Sequence, residues 1–139
     1  MGRSSDCIFC KIINGEIPSA CIYEDDDFKV ILDKFPSGLG HTLIVAKNHS
    51  ENIFEMLEDE ASKVFVLAKK VAAALKKSLK ADGINILQNN GAASGQSVFH
   101  FHMHVIPRFD GDNVNIKWTP QQLPQEDFDR ISEQIISNI

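Results

Sequence analysis

Short apolar stretches bounded by turn-forming residues recur along the chain. Stretches of this length, rich in β-branched and aromatic residues, are typical of strands. Five stretches fit the description: 21–23, 28–33, 41–46, 84–88 and the histidine-rich run that ends at Pro107. The glycine-, proline- and asparagine-containing segments 34–40 and 89–97 predict loops between them. The pattern therefore indicates a sheet of several short strands.

A helical period appears between the third and fourth of these strands. Apolar residues there recur at steps of three and four, which places them on one face of a long helix. They are Leu57, Ala61, Val64, Phe65, Ala68, Val71, Ala72, Leu75 and Leu79. Acidic residues at 58–60 and lysines near the other end suit the helix dipole. After Trp118, a second and shorter amphipathic helix is predicted from Phe128, Ile131, Ile135 and Ile136.

Composition and charge narrow the class of protein. A chain of 139 residues with 43% apolar and 24% charged residues fits one globular domain, taken as residues 1–139. Hairpin-like strands around one dominant helix predict an α+β fold with an antiparallel sheet. The net charge of -5 argues against a nucleic-acid partner. We expect no membrane span and no signal peptide, and hence a cytoplasmic protein.

Two residues separate Cys7 from Cys10, and Cys21 is a third cysteine in a chain for which we expect no export signal. In a reducing compartment, a close pair of this kind favours metal binding or redox work over a structural disulfide. A redox role is disfavoured because no strand precedes the pair, as a thioredoxin-like unit would require. Cys21 is expected as a buried strand residue.

The run from Phe99 to Val105 alternates between two kinds of side chain. His100, His102 and His104 would share one face of a strand about 6.6 Å apart, while Phe99, Phe101, Met103 and Val105 would pack on the other. Imidazoles titrate near neutral pH, so a row of them can bind metal, or hold and attack an anion. The alternative is a polar, solvated face. Three histidines about 6.6 Å apart do not easily converge on one ion, which disfavours a metal bound by the triad alone.

Several further residues accompany the triad at matching positions. They are Asp33, the Gly40, His41 and Thr42 triplet, Asn89, the Gly95, Gln96 and Ser97 triplet, and the opening from Lys11 to Pro18. Together with the triad they resemble the motifs of the histidine-triad (HIT) nucleotide hydrolases and transferases. The resemblance implies a five-stranded antiparallel sheet with one long helix and a short C-terminal helix. It also implies a homodimer formed through the long helix and a strand edge.

The same resemblance assigns roles to individual residues. His102 would be the nucleophile that attacks the α-phosphate of a purine nucleotide conjugate, with its Nδ1 proton held by the carbonyl of His100. His104 would donate to a phosphate oxygen and the leaving group, and His41 would be an accessory histidine. Asn89, Ser97 and the amides of Gly95 and Gln96 would hold the phosphate.

The sugar and base contacts have plainer alternatives. Asp33 would bind the ribose hydroxyls, or else it is a turn former at a strand end. Phe9, Ile17, Ile31 and Leu32 would line an apolar base pocket, or else they belong to the core.

The same comparison of motifs also predicts a zinc site. The gap between Cys7 and Cys10 lets both thiolates reach one tetrahedral ion. Uridylyltransferase-like relatives and some bacterial histidine-triad proteins are similar, and they imply His49 and His100 as the remaining ligands. The site would be closed and structural.

Substrate class stays open between three hypotheses. The first is a hydrolase of nucleoside phosphoramidates, acyl nucleotides or similar conjugates. The second is a dinucleoside polyphosphate hydrolase, because Pro107 and Arg108 after the triad resemble that branch. The third, from another class, is a nucleotide-binding regulatory protein with vestigial turnover.

Overall fold

A computed structural model describes residues 6–139. Five strands form one antiparallel sheet in the order β1-β2-β3-β5-β4. The strands are β1 (Cys21–Glu24), β2 (Phe28–Leu32), β3 (Thr42–Ala46), β4 (Gly83–Leu87) and β5 (His102–Arg108). The helices are α1 (Ile8–Ile13), α2 (Glu58–Leu79) and α3 (Gln125–Ile136). The expected α+β fold, with its five-stranded sheet, long helix and C-terminal helix, is confirmed.

One face of the sheet packs against α2. Alternation along each strand sends every second side chain toward this helix, including Val30, Ile44 and Val105, and Phe101 just before β5 joins them. The α2 residues Val64, Leu67, Ala68, Val71 and Leu75 complete this core. The opposite face therefore carries the other half of each strand's side chains, and the histidines at alternate positions of β5 point there.

The second face is covered in part by the short helix α1. Phe9, Ile12 and Ile13 of α1 pack on Ile31, Leu43 and Val45. The apolar period along the sequence does not predict α1, because six residues make fewer than two helical turns. The register pairs His102 with Val45 and His104 with Leu43, which places both histidines beside this smaller core.

Several side chains differ from the sequence-based expectation. The triad strand begins only at His102, so His100 lies before the regular ladder and Phe99 is exposed instead of packed. Phe65, which the apolar period assigned to the buried face of α2, lies on its exposed side. Leu67 is buried in the core instead. Cys21 is also exposed, because β1 is an edge strand with a bulge between Cys21 and Tyr23.

The C-terminal helix α3 forms where its apolar period predicted it. Its residues are nevertheless all at least partly exposed, including Phe128, Ile131 and Ile135. Within residues 6–139 no helix combines the length and hydropathy that a bilayer crossing requires.

Candidate active site

His102 is held in one tautomer by the main chain. Its Nδ1 lies 2.7 Å from the carbonyl oxygen of His100, which can only accept, so Nδ1 carries the proton and Nε2 a lone pair. The ring is 7% exposed and meets the edge of the Phe9 ring at a centroid distance of 4.9 Å. Burial lowers the pKa of His102, while the hydrogen bond to His100 opposes that shift. The ring is therefore neutral at neutral pH, and its Nε2 presents a lone pair.

A chain of hydrogen bonds fixes the protons of the neighbouring histidines. The Ser37 amide donates to Nδ1 of His41 at 2.9 Å, so the proton of neutral His41 is on Nε2. That Nε2 lies 2.8 Å from Nδ1 of His104, which must accept. The proton of His104 is therefore on Nε2, available to a bound oxygen or nitrogen. The Ser37 hydroxyl adds a second contact to Nδ1 of His41 at 3.0 Å.

Asp33 lies at the same cluster. One of its carboxylate oxygens is 3.5 Å from Nε2 of His41, and the other accepts from the amide of Phe35 at 2.9 Å. The turn-forming contact at the strand end is therefore present, and it leaves the carboxylate beside the histidines. Burial lowers the pKa of His41, and the nearby Asp33 charge partly offsets it. Burial also brings the pKa of His104 to about 4.

Asp33, His41 and His104 also form a group whose ligand atoms lie within 4.8 Å of one another. A metal bound through Nε2 of neutral His41 would require the proton to move to Nδ1. That atom already faces the Ser37 N–H, so the two hydrogens would oppose each other. The arrangement favours a hydrogen-bond chain over a metal centre.

The loop between β4 and β5 holds the predicted phosphate-contacting residues. Asn89 lies beside Gly95, since a Cβ built on Gly95 would be 3.6 Å from the Asn89 amide nitrogen. Gly95 has a φ of +101°, a conformation that glycine adopts freely. Ser97 is exposed. The loop thus brings Asn89 and Gly95 together and leaves Ser97 accessible.

The hydrogen-bonding groups of Gln96 have partners within the protein. Its side-chain oxygen accepts from the amide of Gly91 at 2.7 Å, and its amide nitrogen donates to the carbonyl of Glu51 at 2.7 Å. The main-chain amides of Gly95 and Gln96 donate to the carbonyls of Ala92 and Gly91. Gln96 therefore braces the loop, and the contact of these two amides with phosphate stays a prediction.

The four residues predicted for the base pocket divide into two pairs. Phe9 and Ile31 are buried in the smaller core, which is the alternative considered for them. Ile17 is partly buried against that core, and Leu32 is 39% exposed. Only Ile17 and Leu32 offer accessible apolar surface, with the ring of Phe9 behind His102.

A second cluster lies on the other side of Phe9, where Cys7, Cys10, His49 and His100 meet. Cys7 caps α1 and Cys10 lies in its first turn, so both thiols project from one helix end. His49 follows β3, and His100 precedes β5. The helix and the two strand ends therefore supply the four groups from three separate parts of the chain.

The geometry of this cluster fits a tetrahedral ion. Nδ1 of His100 lies 3.2 Å from the Cys7 sulfur and 3.1 Å from Nδ1 of His49, which is 3.4 Å from the Cys10 sulfur. Ligands at zinc bond lengths lie about 3.3–3.8 Å apart. Nε2 of His100 donates to the carbonyl of Ala46 at 2.6 Å, so its Nδ1 presents a lone pair to the cluster. This donor set suits a thiophilic divalent metal.

Comparison with known proteins shows the family of this chain. Residues 14–111 match the HIT domain, which is more than half of the 139-residue chain. The chain belongs to the HIT family.

Individual HIT relatives extend the match to the whole chain. Protein hit of Bacillus subtilis is 41% identical over 142 aligned positions, covering 100% of this chain and 98% of its own length. The crystal structure of SMU.412c from Streptococcus mutans superposes with a TM-score of 0.94 at 40% identity, covering 99% of this chain and 87% of that one.

Two further HIT relatives carry informative names. Adenylylsulfatase HINT3 of Arabidopsis thaliana is 37% identical, covering 96% of this chain and 67% of its own length. A Zn-bound histidine triad family protein from Mycobacterium smegmatis has a TM-score of 0.76 and 38% identity, covering 84% of each chain.

Sequence reasoning did not identify Ser37 as part of the HIT site. Its contribution comes largely through a main-chain N–H, which every residue except proline carries, so the residue type gives no signal. The bracing role of Gln96 depends on Glu51, which is 45 positions away, and no local pattern reveals it.

Proposed function

We propose that this HIT protein is a nucleotide hydrolase that cleaves purine nucleotide conjugates at the α-phosphate through a nucleotidyl intermediate on His102. The observation that carries the proposal is the hydrogen bond from Nδ1 of His102 to the His100 carbonyl. It leaves a neutral imidazole with its Nε2 lone pair available for attack.

The reaction proceeds in two displacements. Nε2 of His102 attacks phosphorus and the bond to the leaving group breaks, while the Nε2–H of His104 donates a hydrogen bond to the leaving group, which takes any proton it needs from solvent. The hydrogen bond from His41 keeps the proton of His104 on Nε2 during this step. Water next attacks phosphorus and gives its proton to solvent, the phosphorus–nitrogen bond breaks, and a nucleoside monophosphate leaves. Splitting one displacement into two lowers each barrier.

The remaining contacts to the nucleotide follow from where the residues lie. Asp33 would hold the ribose hydroxyls, which places its charge away from the phosphate. Asn89 and Ser97 would hold the phosphate, with Gly95 allowing close approach. Ile17 and Leu32 would contact the base. The adenylylsulfatase name of the Arabidopsis relative supports an adenylyl substrate.

Nothing in the geometry favours dinucleoside polyphosphates. Arg108, which suggested that branch, donates two hydrogen bonds to Asp112 and further ones to Asn85 and Val114. The guanidinium is thereby held by β4 and the loop after β5. Diadenosine polyphosphates therefore serve as a comparison substrate.

The decisive experiment replaces His102 with Asn or Ala. We expect wild-type protein to release AMP from adenosine phosphoramidate, and the variants to lose turnover while still binding AMP. The nucleotidyl intermediate is detected by a rapid quench of the wild-type reaction into denaturant, followed by measurement of the intact mass of the chain. This procedure avoids acid, so the phosphorus–nitrogen bond need not be stable to acid. Undiminished turnover in the variants overturns the nucleophile assignment. Tight AMP binding by wild type without turnover on any conjugate favours a regulatory binding protein.

We further propose that Cys7, Cys10, His49 and His100 hold one structural zinc ion. The fit of the four donor atoms supports this proposal, as does the Zn-bound relative from Mycobacterium smegmatis. When bound, the ion would tie the N-terminal segment to the triad strand. We expect one zinc per chain in wild type and in the exposed-cysteine control Cys21→Ser, and loss of zinc in Cys7→Ser. A full equivalent retained in Cys7→Ser contradicts this ligand set.

We also propose a homodimer that covers the exposed apolar side chains of the helices. Phe65 of α2 and Phe128 and Ile131 of α3 are exposed, and an amphipathic helix needs a partner for its apolar face. Sedimentation analysis tests this proposal. A monomer at micromolar concentration contradicts it.

A further inference from the structure

The segment from Asn48 to Ile53 contacts three other parts of the molecule. We call it the junction segment. It contains His49 of the metal cluster, and the carbonyl of Ser50 accepts from the amide of Phe101 beside the triad strand at 2.7 Å. The segment contains neither helix nor strand, so these contacts and not a regular ladder determine where His49 lies.

The junction segment also supports the phosphate loop. The Glu51 carbonyl accepts from the Gln96 side chain at 2.7 Å, and the Ile53 amide donates to the Asn90 side chain at 2.8 Å. A shift of this segment would therefore reach both the metal cluster and the loop that carries Asn89 and Gly95.

The junction segment also contacts α2 through a buried acidic residue, Glu60. The Asn48 side-chain amide donates to one oxygen of Glu60, a residue that is only 4% exposed. The other Glu60 oxygen is buried, and among residues 6–139 it has no hydrogen-bond partner. Glu60 lies in the first turn of α2, where the helix dipole favours an acidic group.

A contribution to stability does not explain why a glutamate is buried at position 60. A buried polar atom without a partner destabilises the folded state, and an apolar side chain of the same size would avoid that cost. Asn48 is exposed and could bond to water instead. The pair therefore has another use, and its position beside His49 indicates what that use is.

We propose that Asn48 and Glu60 are positioning residues that hold the junction segment, and so place His49 for metal binding and brace the phosphate loop. The inference rests on the metal and nucleotide sites proposed above. Cys7 and Cys10 are placed by α1, and His100 by its hydrogen bond to Ala46. His49 is the ligand whose position depends on an irregular segment, and Asn48 immediately precedes it.

The test compares substitutions that separate metal affinity from stability. Glu60→Met removes the buried acid with little change in volume, and Asn48→Ala removes the exposed partner without opening a cavity. Glu60→Gln keeps an oxygen that can accept from Asn48. Glu58→Gln is the matched control, an exposed acid in the same helical turn.

Zinc affinity is measured by competition with a chelator, and Co²⁺ is used as a spectroscopic probe of tetrahedral sulfur and nitrogen coordination. For Glu60→Met and Asn48→Ala we expect affinity about tenfold weaker or more, altered Co²⁺ bands and weaker AMP binding. The zinc-free Glu60→Met protein should be as stable as wild type, or more so. Glu60→Gln and Glu58→Gln should stay near wild type.

The outcomes separate this inference from the proposals beneath it. Wild-type affinity and Co²⁺ spectra in both Glu60→Met and Asn48→Ala overturn the positioning role while leaving the metal site intact. A loss of metal affinity that is matched by an equal loss of zinc-free stability also overturns it, since the acid would then be merely structural. A wild-type protein that binds neither metal refutes the ligand set and this inference together.

Discussion

Replacing His104 with Asn removes a ring whose protonation opposes folding in acid. Burial, followed by the neighbouring rings of His102 and His41, brings the pKa of His104 to about 4 from an ordinary value near 6.5. Between these two values the unfolded chain binds a proton at this position and the folded protein does not. The stability of wild type must therefore fall as the pH drops through this window.

The size of this effect follows from proton linkage. One proton bound only by the unfolded state changes the free energy of unfolding by about 1.36 kcal/mol per pH unit. Over the window the ceiling is about 3 kcal/mol. The His104 ring is partly exposed, so solvent screening reduces this, and we expect about 2 kcal/mol. Above pH 6.5 both states are neutral at this residue, and the contribution of His104 no longer changes.

The assay is urea unfolding of wild type and His104→Asn at pH 7 and at pH 4.5, in chelator so that metal binding does not vary. Wild type should lose more stability between the two conditions, by about 2 kcal/mol, because the variant lacks this proton linkage. Titrating groups that do not contact His104 are common to both proteins and cancel. An equal loss in the two proteins would show that His104 titrates normally, and the account of a neutral pocket would be wrong.

Three other substitutions probe the core, a turn and the histidine chain. Phe101→Ala removes a side chain that is 1% exposed and should cost about 3–5 kcal/mol in urea unfolding; a loss below about 1 kcal/mol would contradict its place in the core. Gly40→Ala should cost more than about 1 kcal/mol in the same assay, because its φ is +88° and the new Cβ would overlap Leu79. Ser37→Ala should slow AMP release by about two- to tenfold, the worth of one hydrogen bond to His41, and unchanged kcat would contradict this.

The division of the triad strand between two faces was predictable because strand geometry leaves little choice. Met103 and Val105 are buried against α2, as alternation requires, and His102 and His104 lie on the opposite face. Phe99 and His100 lie outside the ladder, where alternation no longer governs direction. A pattern of residues indicates a face only for as long as the strand continues, and the end of β5 depends on its pairing with β3 and β4.

The helices show a different limit. α2 was predictable because 22 residues repeat the apolar period many times, whereas the six residues of α1 do not. The apolar stripe of α3 predicted a helix correctly but could not indicate what covers the stripe. Periodicity indicates that one face of a helix favours burial. Which surface covers that face is determined by the tertiary or quaternary structure.

Main-chain atoms determine the tautomers of the histidines in the site, and the residue types alone do not reveal this. The His100 carbonyl sets the tautomer of His102, the Ala46 carbonyl sets that of His100, and the Ser37 amide sets that of His41. Each of these atoms would be present whatever side chain stood there, except that proline at 37 would remove the amide. The sequence thus predicts which rings can react, and only the fold determines which nitrogen of each ring carries the proton.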